Sequence, residues 1–180
     1  PKWQSLRDSF AEARKAIAEL EPDLLLLYST QWPSIIGHQM QADPEPTWKL
    51  VDQDFHELGT MDYKLRMDPA FAESYCQAAK ARGLTARTVA YRGFPVDTGT
   101  VVALELLDPD RRLPASVVSC NMYADRAETI VLGRAAQDAV AESGKRVLAV
   151  AVTAFSNRMW TEWIDPRDDR IHSAKDDEWN

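Results

Sequence analysis

Four consecutive leucines, residues 24–27, followed by Tyr28 and Ser29, constrain this chain more than any other stretch. Side chains alternate across a strand, so an unbroken apolar run puts apolar groups on both faces. Such a run is stable only where both faces are covered, which points to a central strand of a largely parallel sheet. Upstream, Trp3, Leu6, Phe10, Ala13, Ile17 and Leu20 recur every three or four residues, the spacing of one helix face. Arg7, Glu12, Arg14, Lys15 and Glu19 fall off that face, and Pro22 ends the helix. A helix leading into a doubly buried strand is the α/β rhythm.

The rest of the chain continues that rhythm. Residues 30–46 read as a loop, being polar and interrupted by Pro33, Gly37, Pro44 and Pro46. Residues 48–58 fit no single pattern. Tyr63, Leu65 and Met67 alternate with Lys64 and Arg66, as on a half-exposed strand. Asp68-Pro69 predicts a helix start, with Asp as N-cap and Pro at the first position. That helix runs through Phe71, Tyr75, Cys76 and Ala79 and stops at Gly83. Strands are expected over 85–91, 115–120 and 147–152, and helices over 100–107 and from Asp125 to Gly144. Asp125 and Glu128 form a D-x-x-E start signal close to the capping box. No repeat or linker interrupts the 180 residues, so the expectation is one α/β domain, its central sheet parallel or mixed and covered by helices. The absence of a starting Met, and a final stretch 173–180 that resembles an unfinished helix, point to a piece of a longer protein.

Charge narrows the function classes. The formal net charge is −7 and the pI about 5.0, which argues against non-specific binding to nucleic acid or to anionic membranes. No apolar run approaches the ~18 residues of a membrane span. Without a basic, apolar leader, the expected address is cytoplasmic. Cys76 and Cys120 are far apart and form no CxxC, so two buried structural thiols are expected rather than a disulfide or zinc site.

Chemistry concentrates at a few loops. Residues 91–100, YRGFPVDTGT, carry Gly93, Pro95 and Gly99 between a strand and an apolar helix, with Asp97, Thr98 and Thr100 as capping oxygens. Loops at the carboxyl ends of strands are where α/β proteins bind ligands. The sequence has no P-loop, GxGxxG, HExxH or GxSxG. Of the three histidines, His38 and His56 stand near Asp54 and Glu57, a set from which a metal site could draw, although no pair has a compact ligand spacing. His172 belongs to the charged run that includes Asp168 and Arg170. Residues 165–170, DPRDDR, read as a solvated turn or else a partner interface or lid. Trp32, Trp160 and Trp163 fall in strand-end loops, where an indole packs or lines an aromatic pocket.

Taken together, LLLLYSTQW (24–32), GFPVDTGT (93–100), SCNMY (119–123), IDPRDDRI (164–171) and KDDEWN (175–180) resemble the class III extradiol ring-cleavage dioxygenases. Within that family they are most similar to the α-subunit branch of the 2-aminophenol 1,6-dioxygenases. The resemblance runs in order along nearly the whole chain. It implies an α/β fold on a central sheet and, in catalytic members, a non-haem Fe(II) held by two His and one Glu. It also locates departures. Where catalytic members carry a metal-binding Asp-His at the second strand's end, this chain has Gln31-Trp32. An indole N–H only donates and offers a metal no lone pair. The family's Asp-His-Gly in the central loop reads Asp97-Thr98-Gly99. Its acid–base His after a Ser reads Asn157, and Asn shuttles no proton near neutral pH. The remaining family ligands fall outside these residues.

The expectation is therefore a non-catalytic subunit without a cofactor of its own. It pairs with an Fe(II)-bearing catalytic β-type homologue, as a heterotetramer, around a vestigial pocket of Gln31, Trp32, Asp97, Thr98 and Asn157. Two alternatives stand beside it. One is an active enzyme with a rearranged metal site of His38, His56 and Glu57. The other is a binding protein for a small aromatic ligand.

Overall fold

The computed structural model describes residues 2–51 and 56–153. Helix α1 (Lys2–Leu20) leads into strand β1 (Leu24–Ser34), followed by β2 (His38–Gln41) and β3 (Thr47–Val51). A 3-10 turn (His56–Leu58), β4 (Thr60–Lys64), α2 (Pro69–Ala81) and β5 (Ala86–Val89) come next. The described chain ends with α3 (Thr98–Leu107), β6 (Ala115–Asn121), α4 (Arg126–Ser143) and β7 (Val147–Val152). Five strands form one mixed sheet in the order β5-β2-β6-β1-β7, and β3 and β4 form a separate antiparallel ribbon.

The leucine run does what its pattern requires. β1 lies between β6 and β7 and is parallel to both. Leu24 and Leu26 enter a core with Phe71, Tyr75 and Cys76 of α2 and Leu132 and Ala135 of α4. Leu25 and Leu27 enter a second core on the opposite face with Val101 and Leu104 of α3, Tyr63 of β4, and Leu65 and Met67. Helices thus cover both faces, as the unbroken run predicts. The expected helix starts also form. Asp68 accepts from the Phe71 N–H, Asp97 from the Thr100 N–H and Asp125 from the Glu128 N–H.

The structure corrects the reading of residues 30–46 as a loop. β1 continues to Ser34, its pairing with β6 shifting between Ser29 and Pro33, which is how a strand accommodates a proline. β2 then inserts antiparallel to β6 and parallel to β5. Its polar sequence hid it, yet His38 and Gln41 are buried and each has a partner. His38 Nε2 bonds Glu128 Oε1 at 2.9 Å, and Gln41 Oε1 accepts from the Asp43 N–H at 3.0 Å. A buried polar side chain with a partner escapes the desolvation cost that polarity signals to a sequence reader. The strand expected over 85–91 is shorter, and α3 begins at Thr98 because Asp97 is its cap. Cys76 is buried as expected, whereas Cys120 is half-exposed.

Candidate functional site

The candidate site lies where β1 leaves its regular pairing, between the loop that ends at Asp97 and the β3–β4 ribbon. Asp97 organises it. Its Oδ1 accepts from the Thr100 N–H at 2.9 Å and from the hydroxyl of fully buried Ser29 on β1 at 2.7 Å. One carboxylate oxygen therefore caps α3 and pins that helix to the central strand. The other, Oδ2, is buried without a partner. Tyr63 of the ribbon accepts the Val96 N–H at 3.1 Å through its phenol oxygen, holding the loop from the other side.

These contacts leave a cleft of about 740 Å³, lined by Gln31, Asp97 and Thr98 together with Trp48, Lys49 and Tyr63 from the ribbon. Gln31 reaches Gly99 closely, because a Cβ at residue 99 would stand 3.0 Å from its carboxamide and 2.8 Å from Val152 Cγ1. Trp32 turns aside and packs on Phe94, with ring centroids 5.9 Å apart.

Of the residues expected to share one pocket, Gln31, Asp97 and Thr98 do so, and Trp32 stands beside it on Phe94. Asn157, Trp160, Trp163, His172 and the run 165–170 lie outside the described residues. Sequence reasoning missed Ser29, Tyr63, Trp48 and Lys49. The alternation of Tyr63 with its neighbours was the available signal for a strand, but only the pairing of Trp48 with Tyr63 brings that face to the loop.

His38 and His56 are placed differently from each other. His38 is 1% exposed and tied to Glu128 on α4, whereas His56 is 76% exposed with Glu57 Oε2 at 4.0 Å from its Nδ1. Among the described residues, no three His, Cys, Asp or Glu side chains stand close enough to hold a metal ion. The cleft itself offers one carboxylate, already engaged by Ser29 and Thr100, with a carboxamide and hydroxyls. That donor set does not fit an Fe(II) centre, which takes imidazole and carboxylate ligands with open positions.

A second hollow of about 640 Å³ lies between α4 and the β1–β7 face. Its lining is mostly aliphatic, including Leu26, Leu132 and Val140. Tyr28 also faces it; burial raises its phenol pKa well above the ordinary value, and a bond with Cys120 adds to the rise. It lacks the convergent polar groups of the strand-end cleft. Among the described residues, no helix is long and apolar enough to cross a membrane.

Comparison with known proteins places this geometry in a family. Residues 1–159 match the model described as the catalytic LigB subunit of aromatic ring-opening dioxygenase. The chain is 32% identical over 179 residues to the 2-aminophenol 1,6-dioxygenase alpha subunit of Pseudomonas sp., covering 99% of this chain and 66% of that one. It is 30% identical over 174 residues to the beta subunit of a Pseudomonas sp. 2-aminophenol 1,6-dioxygenase, covering 93% of this chain and 57% of that one. The chain thus spans about three-fifths to two-thirds of the length of these relatives. A crystal structure of an uncharacterized protein from Escherichia coli K12 shares the fold, with a TM-score of 0.57 at 17% identity over 79% of this chain and 51% of that one. The family match over most of the chain, on a mixed sheet with helices on both faces, identifies this protein as a member of the LigB family of class III extradiol dioxygenases.

Proposed function

We propose that this chain is a non-catalytic, α-type subunit of a 2-aminophenol 1,6-dioxygenase-like enzyme, and that it supports ring cleavage by a homologous catalytic subunit. One observation carries the reading. The strand-end position that the family resemblance assigns to a metal-binding imidazole holds Gln31 and Trp32, and these side chains are committed to Gly99 and Phe94. Gln31, Trp32, Asp97, Thr98 and Asn157 are the remnant of the iron pocket. Fe(II) resides in the catalytic partner, and the two kinds of subunit assemble as a cytoplasmic heterotetramer. The two Pseudomonas relatives, an alpha and a beta subunit of 2-aminophenol 1,6-dioxygenase, support a paired arrangement.

The test is iron per chain in the full-length protein, expressed alone and purified without oxygen. This reading expects near-zero iron and no ring cleavage of 2-aminophenol, with activity appearing only on adding the β-type subunit. Close to one iron per chain with turnover would overturn it. A second reading, an active chain with a rearranged site, draws on the description of the matched family model as a catalytic subunit. It would require His38 to leave Glu128 and join His56 and Glu57. Replacing His38 and His56 would then abolish both iron and turnover.

A further inference from the structure

The β3–β4 ribbon stands apart from the rest of the fold. Among the described residues its strands pair with each other and not with the five-stranded sheet. Its base is stapled down. The Leu65 N–H donates to the Pro46 carbonyl at 2.9 Å and the Met67 N–H to the Pro44 carbonyl at 3.0 Å. The Asp68 N–H donates to the Ala115 carbonyl and the Ala115 N–H to the Arg66 carbonyl, so the base rests on the start of β6. Beyond the base the ribbon is thinly held. Trp48 stands opposite Tyr63, and Leu50 opposite Met61, and these four share its inner face. Tyr63 alone of the four is fully buried, Leu50 and Met61 are half-buried, and every residue of the outer face is exposed. A two-stranded ribbon by itself is only marginally stable in water.

Tyr63 is therefore the latch. Its phenol oxygen accepts from the Val96 N–H at 3.1 Å, and its ring is 4% exposed in the core that holds Leu65 and Met67. Arg111 Nε also reaches the Lys64 carbonyl at 3.4 Å, but Lys64 pairs with Thr47 at the base of the ribbon. Lys49 and Asp62 meet at 4.0 Å with both side chains exposed, a pair that contributes little. Trp48 is placed differently. It lies on the inner face opposite the buried Tyr63, yet it is 59% exposed and lines the cleft with Gln31, Asp97 and Thr98. An indole offers a flat face on which an aromatic ring stacks. Segments with few buried apolar contacts open before the rest of a fold, and lids over binding sites are drawn from them. We infer that the β3–β4 ribbon is a lid over the strand-end cleft. It opens as a unit about its base when Tyr63 leaves the Val96 N–H, and it closes with Trp48 over an aromatic ring in the cleft. The choice of ring rests on the function proposed above, whereas the opening does not.

Hydrogen–deuterium exchange of the full-length chain, read by mass spectrometry without oxygen, tests this. Peptides from β3 and β4 are expected to exchange at least about tenfold faster than those from β1 and β6. Tyr63→Phe removes the latch and keeps the ring. It is expected to speed ribbon exchange about fivefold, the worth of one hydrogen bond, with β1 and β6 unchanged. Added 2-aminophenol is expected to slow ribbon exchange at least about threefold in the wild type and not in Trp48→Ala. Unchanged exchange of β1 and β6 in both variants separates a loosened lid from a lost fold. A ribbon that exchanges no faster than β1 and β6 overturns the lid, as does a Tyr63→Phe chain that exchanges like the wild type. Protection by 2-aminophenol that is absent, or equal in Trp48→Ala, overturns the closure. Iron per chain reports on the non-catalytic reading alone, so failure of that reading and failure of the lid are told apart.

Discussion

Asp97 shows how much one side chain carries. Replacing it with Ala removes the cap on α3 and leaves the fully buried Ser29 hydroxyl without its acceptor. A lost cap costs about 1 kcal/mol, and a stranded buried polar group costs about 1–3 kcal/mol. Asp97→Ala is therefore expected to lower stability by about 2–4 kcal/mol in urea unfolding. Asp97→Asn, which keeps an acceptor oxygen, should cost roughly half as much. If Asp97→Ala proves neutral, the Ser29–Asp97 bond does not anchor the loop. The cap was readable from D-T-G-T alone. The bond to Ser29 was not, because it joins residues 68 positions apart that only the fold brings together.

Elements meet at a few tight points, and Gly99 is one. It lies in the first turn of α3, where Val152 of β7 and Gln31 of β1 leave no room for a methyl group. Gly99→Ala is expected to cost about 1–3 kcal/mol by overpacking and to displace the Gln31 carboxamide, so it should lower the melting temperature. An unchanged melting temperature would show that the contact relaxes freely. The start of α2 makes a different tie. Burial alone would raise the pKa of Asp68, but its bond with Lys145 and the N–H groups of Phe71 and Ala70 outweigh that and hold it below the ordinary carboxylate value. A depressed folded pKa contributes stability above the unfolded value of about 4 that is lost as the pH falls through the folded value. Asp68→Asn should therefore be less stable than wild type at neutral pH, with the gap closing as the pH drops below about 4. A gap that stayed constant down to low pH would mean the ion pair is not the source.

At the scale of the whole molecule, local patterns and long-range placement divide the outcome. The leucine run determined a central strand covered on both faces, because alternation sends adjacent leucines to opposite sides. Asp68, Asp97 and Asp125 determined where three helices begin, because a cap acts within one turn. Those features are short-range, so composition and spacing suffice to read them. β2 escaped notice because His38 and Gln41 are buried by virtue of partners, and one of those, Glu128, lies 90 residues away. The same placement separates His38 from the exposed His56, which sequence proximity had grouped as possible co-ligands. Gln31, Asp97 and Thr98 were named from a linear resemblance, but their convergence on one cleft, closed by Tyr63 and the β3–β4 ribbon, is a product of strand order. The exposure of Ile35 and Tyr123 is of the same kind, since exposure belongs to a surface and not to a residue type. The sequence by itself thus determined the central strand, the starts of three helices and the family. Tertiary structure decided which side chains share a site, because that depends on contacts between segments far apart in the chain.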